Sequence, residues 1–216
     1  MNGIVHGPLE VGEFSATEVP SRNGTGQSLK EVKSVALLPG SRKSEISLMA
    51  DEMIRTAKKL KNIDSSYKFY MPLSDKGHLD FINEPFEDWV EVSFNNSQDV
   101  LSKCQIGIIT SGTATLEALL LRTPCVTLYK TNWLSYRIIK PLLSIENFSL
   151  PNLLSGNTIL PELLQDEVNS ENIIESLNFI NSKGMDYFYK EFHKIHENLK
   201  AGSSETAANE ISNLID

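Results

Sequence analysis

The sequence predicts an α/β protein in which residues 33–216 form a single Rossmann-like domain, with a parallel sheet followed by C-terminal helices. Short apolar runs of strand length alternate with segments whose apolar residues recur at helical spacing. Two of these runs lead directly into a glycine-containing turn and then a helix. Connections of this kind join parallel strands through right-handed crossovers and place helices on both faces of the sheet.

Residues 1–32 precede this domain and show neither helical nor strand periodicity. They are rich in Gly, Ser, Thr, Asn and Pro, which predicts a linker-like or disordered segment. The N-terminus has neither the basic start nor the apolar core of a signal peptide, and no apolar run approaches the roughly 18 residues of a membrane span. We therefore expect a cytoplasmic protein.

The first predicted strand, residues 35–38, ends at a Pro-Gly pair that turns the chain. Open α/β sheets bind ligands at the carboxyl ends of their strands, and Ser41 and Arg42 follow there. The guanidinium of Arg42 is a forked donor suited to a phosphate. The alternative is a helix-entry arginine paired with Glu45. A helix should follow, because apolar residues recur at helical spacing: Ile46, Met49, Ala50, Met53, Ile54, Ala57 and Leu60.

Two further strands are predicted at residues 67–73 and 89–93. The polar residues 74–88 between them predict a loop or a short helix. Residues 97–104 predict another helix, because polar capping residues stand at its start. These elements continue the alternation of strands and helices up to the central stretch of the chain.

The central stretch, residues 105–117, runs from an apolar strand through a tight turn into a helix. The turn carries hydroxyl groups and a glycine: Ser111, Gly112, Thr113 and Thr115. Free N–H groups and the positive end of the helix dipole, together with these hydroxyls, suit a phosphate. Glu117 follows as an acceptor for two sugar hydroxyls. The alternative is that the turn merely caps the helix and Glu117 is a solvated acid stabilised by the dipole.

A proline ends this helix before a strand at residues 125–129. Residues 130–141 then form an aromatic and basic amphipathic segment, which predicts either a core helix with exposed Arg and Lys or a peripheral membrane-surface contact. Residues 147–156 predict a compact loop. Within it, Pro151 rigidifies the backbone and makes the amide of Asn152 a placed donor and acceptor.

Residues 161–165 predict the start of a short helix, because proline is favourable at the first helical position. Three helices are then predicted at 171–182, 185–200 and 204–215. Each of them has one apolar face, so we expect them to be structural.

Charge and motifs exclude several classes of function. A formal net charge of −8 and a pI near 5.1 argue against a nucleic-acid partner. Cys104 and Cys125 have no partner at metal-ligand spacing, which favours reduced thiols. His193 and His196 lie three residues apart but belong to no ligand motif, so we expect no metal. The chain also has no P-loop and no Ser/His/Asp motif. It has no dinucleotide GxGxxG either, and this argues against a Rossmann dehydrogenase.

Several strings of residues together resemble the lipid-A-disaccharide synthase family, in its carboxyl-terminal half. They occur in the family's order at residues 37–46, 111–118, 123–124, 129–130, 149–153, 161–165 and 202–208. The combination is far more specific than any one string. It covers about residues 33–215.

The resemblance implies an inverting GT-B glycosyltransferase, which has two Rossmann-like domains facing each other across a cleft. Such enzymes transfer 2,3-diacylglucosamine from UDP-2,3-diacylglucosamine to 2,3-diacylglucosamine 1-phosphate in lipid A biosynthesis, and the carboxyl-terminal half holds UDP. By this resemblance Ser41, Arg42 and the turn 111–115 would contact the diphosphate. Glu117 would bind the ribose, and Asn152 would position the donor near the reacting centre. No cofactor or metal is expected, because the helix dipole, Arg and hydroxyls can stabilise the leaving UDP.

The resemblance does not extend to the family's amino-terminal half, which would supply the acceptor site and the general base. His6, Gly7, Pro8 and Leu9 are close to the Gly-His-Pro-Leu with which the family enters this half, but their order is swapped. We therefore expect this chain alone to bind UDP with little or no transferase activity, and a separate amino-terminal half to be its partner. The alternatives are another GT-B relative, such as a murein glycosyltransferase or a UDP-sugar 2-epimerase, and a nucleotide-binding module without catalysis.

Overall fold

Six parallel strands form one sheet in the computed structural model, which describes residues 33–131 and 147–200. The strands are β1 (Ser34–Leu38), β2 (Lys68–Leu73), β3 (Val90–Phe94), β4 (Ile106–Thr110), β5 (Cys125–Tyr129) and β6 (Glu162–Leu164). Their order across the sheet is β3-β2-β1-β4-β5-β6. The strand order reverses between β1 and β4, so the loops that follow these two strands leave a crevice between them.

Helices cover both faces of this sheet. They are α1 (Lys43–Ile63), α2 (Ser97–Lys103), α3 (Thr113–Leu120), α4 (Leu150–Ser155), α5 (Ser170–Lys183) and α6 (Met185–Lys200), with 3₁₀ turns at Lys76–Phe81 and Gln165–Glu167. Helix α1 packs against α5, whereas α3 packs against α2, α4 and α6.

The core lies between the central strands and these helices. Every residue of β4 and all but the first of β1 are buried, and both strands are apolar runs because neither face is exposed. Helix α1 contributes Met49, Met53 and Ile54, all fully buried, and each adds about 1.5–3 kcal/mol of transfer free energy. This packing fixes the strand ends from which the β1–α1 and β4–α3 turns emerge.

The predicted fold class is confirmed. The five strands predicted up to residue 129 are all present, and the last of them has the predicted bounds. The helices predicted at 171–182 and 185–200 are observed as α5 and α6. The helix predicted at 204–215, the segment 1–32 and the amphipathic segment from residue 132 onward lie outside the described residues.

The helix predicted at residues 161–165 was wrong. Residues Glu162–Leu164 are instead strand β6, which extends the sheet by pairing with β5 through Thr127 and Glu162 and through Leu128 and Leu163. The proline that suggested a helix start lies just before the strand, where its missing N–H costs no ladder hydrogen bond. Pairing at the sheet edge therefore overrides the local helix signal.

The loop predicted at residues 147–156 was also wrong in part, because helix α4 occupies its centre. Pro151 lies in the first turn of α4, where proline is tolerated, and Gly156 ends the helix in the left-handed conformation at φ 67°. These are start and stop signals of a short helix. The same proline and glycine are also turn residues, which is why the sequence favoured a loop.

Candidate functional site

A cleft of about 610 Å³ lies at the carboxyl edge of the sheet. Four strand ends contribute to it, from the turn after β1 (residues 40–42), the end of β2 (72–74), the turn after β3 (95–97) and the turn after β4 (110–114). Both glycine-containing turns that the sequence predicted as ligand sites therefore face one cavity. Its volume is in the range of cavities that hold nucleotide-sized ligands.

The β1–α1 turn is organised around the carboxylate of Glu45. Its Oε2 accepts hydrogen bonds from the backbone N–H of Ser41 at 3.0 Å and of Arg42 at 3.2 Å, and its Oε1 accepts one from Nη1 of Arg42 at 3.1 Å. The Arg42 side chain is 80% exposed and lines the cleft. Arg42 is thus both paired with Glu45, as the alternative interpretation held, and placed where the ligand hypothesis requires it.

The β4–α3 turn is open on the cleft side. Gly112 and Thr113 are exposed, and a Cβ added at Gly112 would meet no atom within 4 Å. Ser111 donates its backbone N–H to the carbonyl of Leu128 at 2.7 Å, which fixes the turn on strand β5. The N-terminal turn of α3 therefore presents hydroxyls and the positive end of its dipole to the cavity.

Thr115 does not reach the cleft. It is fully buried, and both its Oγ1 and its backbone N–H donate to the carbonyl of Gly112, at 2.8 and 3.2 Å. These bonds hold the first turn of α3 closed. Thr115 therefore stabilises the turn from its buried side, away from the cleft.

Glu117 lines the cleft as a half-buried carboxylate. Among the described residues, no side chain or backbone group donates a hydrogen bond to it. Burial raises the pKa of the Glu117 carboxyl from its ordinary value of 4.5. A partly desolvated acceptor without a protein partner is suited to hydroxyl donors of a ligand.

The sequence did not identify Thr110, Ser74 or residues 95–97, all of which line the cleft. Thr110 ends β4, is 6% exposed, and its Oγ1 has no hydrogen-bond partner among the described residues. Asn95 takes a left-handed conformation at φ 54°. Their shared signal is their place at the carboxyl ends of strands, where open parallel sheets bind ligands.

Asn152 is not brought together with the other predicted residues. It is fully buried on α4, and its Nδ2 donates to the carbonyl of Leu160 at 2.9 Å and to Oε1 of Glu162 at 2.6 Å. Its Oδ1 accepts from the backbone N–H groups of Ile159 and Leu160, both at 2.9 Å. All four hydrogen bonds that an amide side chain commonly makes are used within the protein, so Asn152 ties α4 to the segment that leads into β6.

Metal and thiol chemistry find no support in the part of the chain that the structure describes. No group of three or more His, Cys, Asp or Glu in residues 33–131 and 147–200 is arranged to hold a metal ion. His193 is exposed, whereas His196 is buried with Nδ1 3.0 Å from Nη2 of Arg122. Burial raises the pKa of the Cys125 thiol to about 12, which suppresses the nucleophilic thiolate.

None of the described helices combines the length and the apolar character needed to cross a membrane.

The chain matches the family model described as lipid-A-disaccharide synthetase over residues 17–214. A lipid-A-disaccharide synthase of Idiomarina loihiensis is 34% identical over 186 residues, covering 84% of this chain and 49% of the relative. The synthase of Cellvibrio japonicus is 36% identical over 187 residues, covering 84% and 49%. This chain spans about half the length of the curated relatives it matches.

The fold itself is shared with a solved glycosyltransferase. CalG4, the calicheamicin glycosyltransferase, superposes with a TM-score of 0.53 at 14% sequence identity, and the match covers 85% of this chain and 42% of CalG4. At that identity the likeness concerns the fold alone.

Proposed function

Because the chain belongs to the lipid-A-disaccharide synthase family, we propose that its cleft binds the UDP part of a UDP-2,3-diacylglucosamine donor. The observation that carries this proposal is the convergence of two turns on one cavity. The β1–α1 turn brings Ser41 and Arg42, and the β4–α3 turn brings Ser111, Gly112 and Thr113. Residues 33–216 then constitute the donor-binding domain, with residues 1–32 leading into it.

The diphosphate lies between these two turns. The N-terminus of α3 supplies a positive dipole end, hydroxyl donors and the open space above Gly112. Arg42 supplies an exposed guanidinium from the β1–α1 turn, which can form two parallel hydrogen bonds to phosphate oxygens. Charge that develops on UDP as it leaves is stabilised by these donors.

Glu117 binds the ribose. Its carboxylate has two oxygens available and lies one helical turn into α3, beyond the turn that receives the diphosphate. Two vicinal hydroxyls of a ribose can each donate to one of these oxygens. Thr115 and Asn152 support the site indirectly, since both use their hydrogen bonds within the protein.

The complete reaction transfers 2,3-diacylglucosamine to 2,3-diacylglucosamine 1-phosphate with inversion, and it needs a general base beside the acceptor hydroxyl. The charged residues of the described cleft are Arg42, Glu45 and Glu117, and each has another role in this proposal. The acceptor site and the base therefore belong to the family's amino-terminal half, facing this domain at the cytoplasmic side of the inner membrane. An assay for disaccharide formation with and without that half tests this division.

Calorimetric titration of the purified chain with UDP tests the binding proposal. We expect saturable 1:1 binding, and we expect Glu117→Ala to weaken it roughly ten- to a hundredfold, because hydrogen bonds to a charged group are lost. Glu91, which is exposed on β3 and does not line the cleft, provides the control Glu91→Ala. If Glu117→Ala binds UDP as the unchanged chain does, the ribose assignment is wrong.

A further inference from the structure

We propose that Glu45 is a resident anion in the diphosphate site, which competes with the bound diphosphate for its donors and thereby limits the affinity for UDP. This inference rests on the proposed function, because it assigns to the same cleft a residue that opposes binding. By lowering the affinity for UDP, Glu45 would also make it easier for the product UDP to leave.

The carboxylate of Glu45 occupies donors of the kind that a phosphate oxygen takes. It accepts from two consecutive backbone N–H groups, those of Ser41 and Arg42, at 3.0 and 3.2 Å, and from the guanidinium of Arg42 at 3.1 Å. Two adjacent amides at a helix start, together with an arginine, form a typical anion site. In this structure a side chain of the protein fills it.

The turn is shaped to accommodate this carboxylate. Gly40 adopts φ +110°, and a Cβ added there would lie 2.4 Å from Oε2 of Glu45 and 2.6 Å from its Cβ. Both distances are far below van der Waals contact. The absence of a side chain at Gly40 is therefore what allows Glu45 to fold back over the turn.

The charges that line the cleft mean that the Glu45 carboxylate repels a diphosphate. Within the part of the chain that the structure describes, one guanidinium, from Arg42, faces the cavity together with two carboxylates, from Glu45 and Glu117. The Glu45 side chain is 24% exposed and already neutralises Arg42. A diphosphate that binds here must therefore either displace the Glu45 carboxylate from its donors or lie close to its negative charge.

A glutamate at the third position of a helix also has an ordinary structural use, as the partner of the preceding backbone N–H in a capping box. Glutamine serves that use equally well. The substitution Glu45→Gln therefore separates the two roles, because it retains an acceptor of the same size and removes only the negative charge. A purely structural glutamate predicts unchanged or weaker UDP binding in this variant.

The test is calorimetric titration of the full chain, as Glu45→Gln and as the unchanged protein, with UDP, inorganic pyrophosphate and uridine. We expect Glu45→Gln to bind UDP and pyrophosphate roughly three- to tenfold more tightly and uridine equally. The gain should shrink as salt is raised, since exposed charges are screened. Glu91→Gln makes the same charge change outside the cleft and should leave all three affinities within about twofold of the original.

The outcomes distinguish this inference from the proposed function. If the unchanged chain binds UDP but Glu45→Gln binds it equally or more weakly while its thermal unfolding is unaltered, Glu45 is not a competitor and only this inference fails. If neither protein binds UDP or pyrophosphate, the proposed function fails, and this inference fails with it. If Glu91→Gln binds UDP and pyrophosphate more tightly to the same degree as Glu45→Gln, the gain in affinity comes from the net charge of the protein. That result would also overturn the inference.

Discussion

Glutamates at four positions of the described domain show how strongly the environment decides what a carboxylate does. Glu45 accepts three hydrogen bonds at the start of α1, and Glu162 accepts four from the start of α4. The carboxylate of Glu117 accepts none from the described residues, and Glu91 is simply exposed. The sequence selected Glu117 correctly as a cleft residue because it follows a phosphate-type turn. It indicated the pairing of Glu45 with Arg42, but it contained no sign of the bonds that Glu45 accepts from the backbone or of the role of Glu162, which depend on folded geometry.

The two glycines of the cleft turns should respond differently to alanine. Gly40→Ala meets both a left-handed backbone and the Glu45 side chain, so we expect the free energy of unfolding to fall by about 1–3 kcal/mol. Gly112 has extended backbone and open space above it, so Gly112→Ala should cost less than about 0.5 kcal/mol. Urea unfolding measures both.

UDP titration of the same pair completes this test. The methyl group of Gly112→Ala enters the space assigned to the diphosphate, so this stable variant should bind UDP at least roughly tenfold more weakly. Undiminished binding by Gly112→Ala would place the diphosphate elsewhere.

At the level of elements, the sequence predicted five of the six strands of the sheet and missed the edge strand β6. Strands β1, β4 and β5 are runs of buried apolar residues, and covered strands of this length are distinctive in any sequence. Strand β6 has three half-buried residues, too few to show a period, and only its pairing with β5 defines it. Helix α4 is also short, with six residues. Its position depends on Asn152 and Glu162, whose contacts could not be predicted from spacing.

We expect Asn152→Ala to lower the free energy of unfolding by about 3 kcal/mol, because it leaves the buried backbone N–H and carbonyl of Leu160 without their hydrogen-bond partner and removes a donor to Glu162. Asn157→Ala is the matched control, since that amide is exposed and donates only to the carbonyl of Ser155, and it should cost less than about 1 kcal/mol. Urea denaturation of both variants measures the difference. Equal effects would show that Asn152 does not hold α4 to the β6 segment.

At the scale of the whole molecule, the described domain has one edge at which four strand ends meet. The order β3-β2-β1-β4-β5-β6 places the turn after β1 beside the turn after β4, and this adjacency joins two motifs that are about seventy residues apart in sequence. The parallel fold class was enough to predict that both turns lie at one edge. To predict that residues 95–97 also line the cleft, the strand order would have been needed as well.

The most direct measurement is an NMR titration of the ¹⁵N-labelled chain with UDP, followed at the backbone amides of both turns. The account predicts that the signals of Ser41 and Arg42 and those of Gly112 and Thr113 shift together, with one dissociation constant, while amides of α5 and α6 remain unchanged. Shifts confined to one of the two turns, or found only at a distant surface, would contradict the claim that the turns after β1 and β4 bind one uridine diphosphate between them.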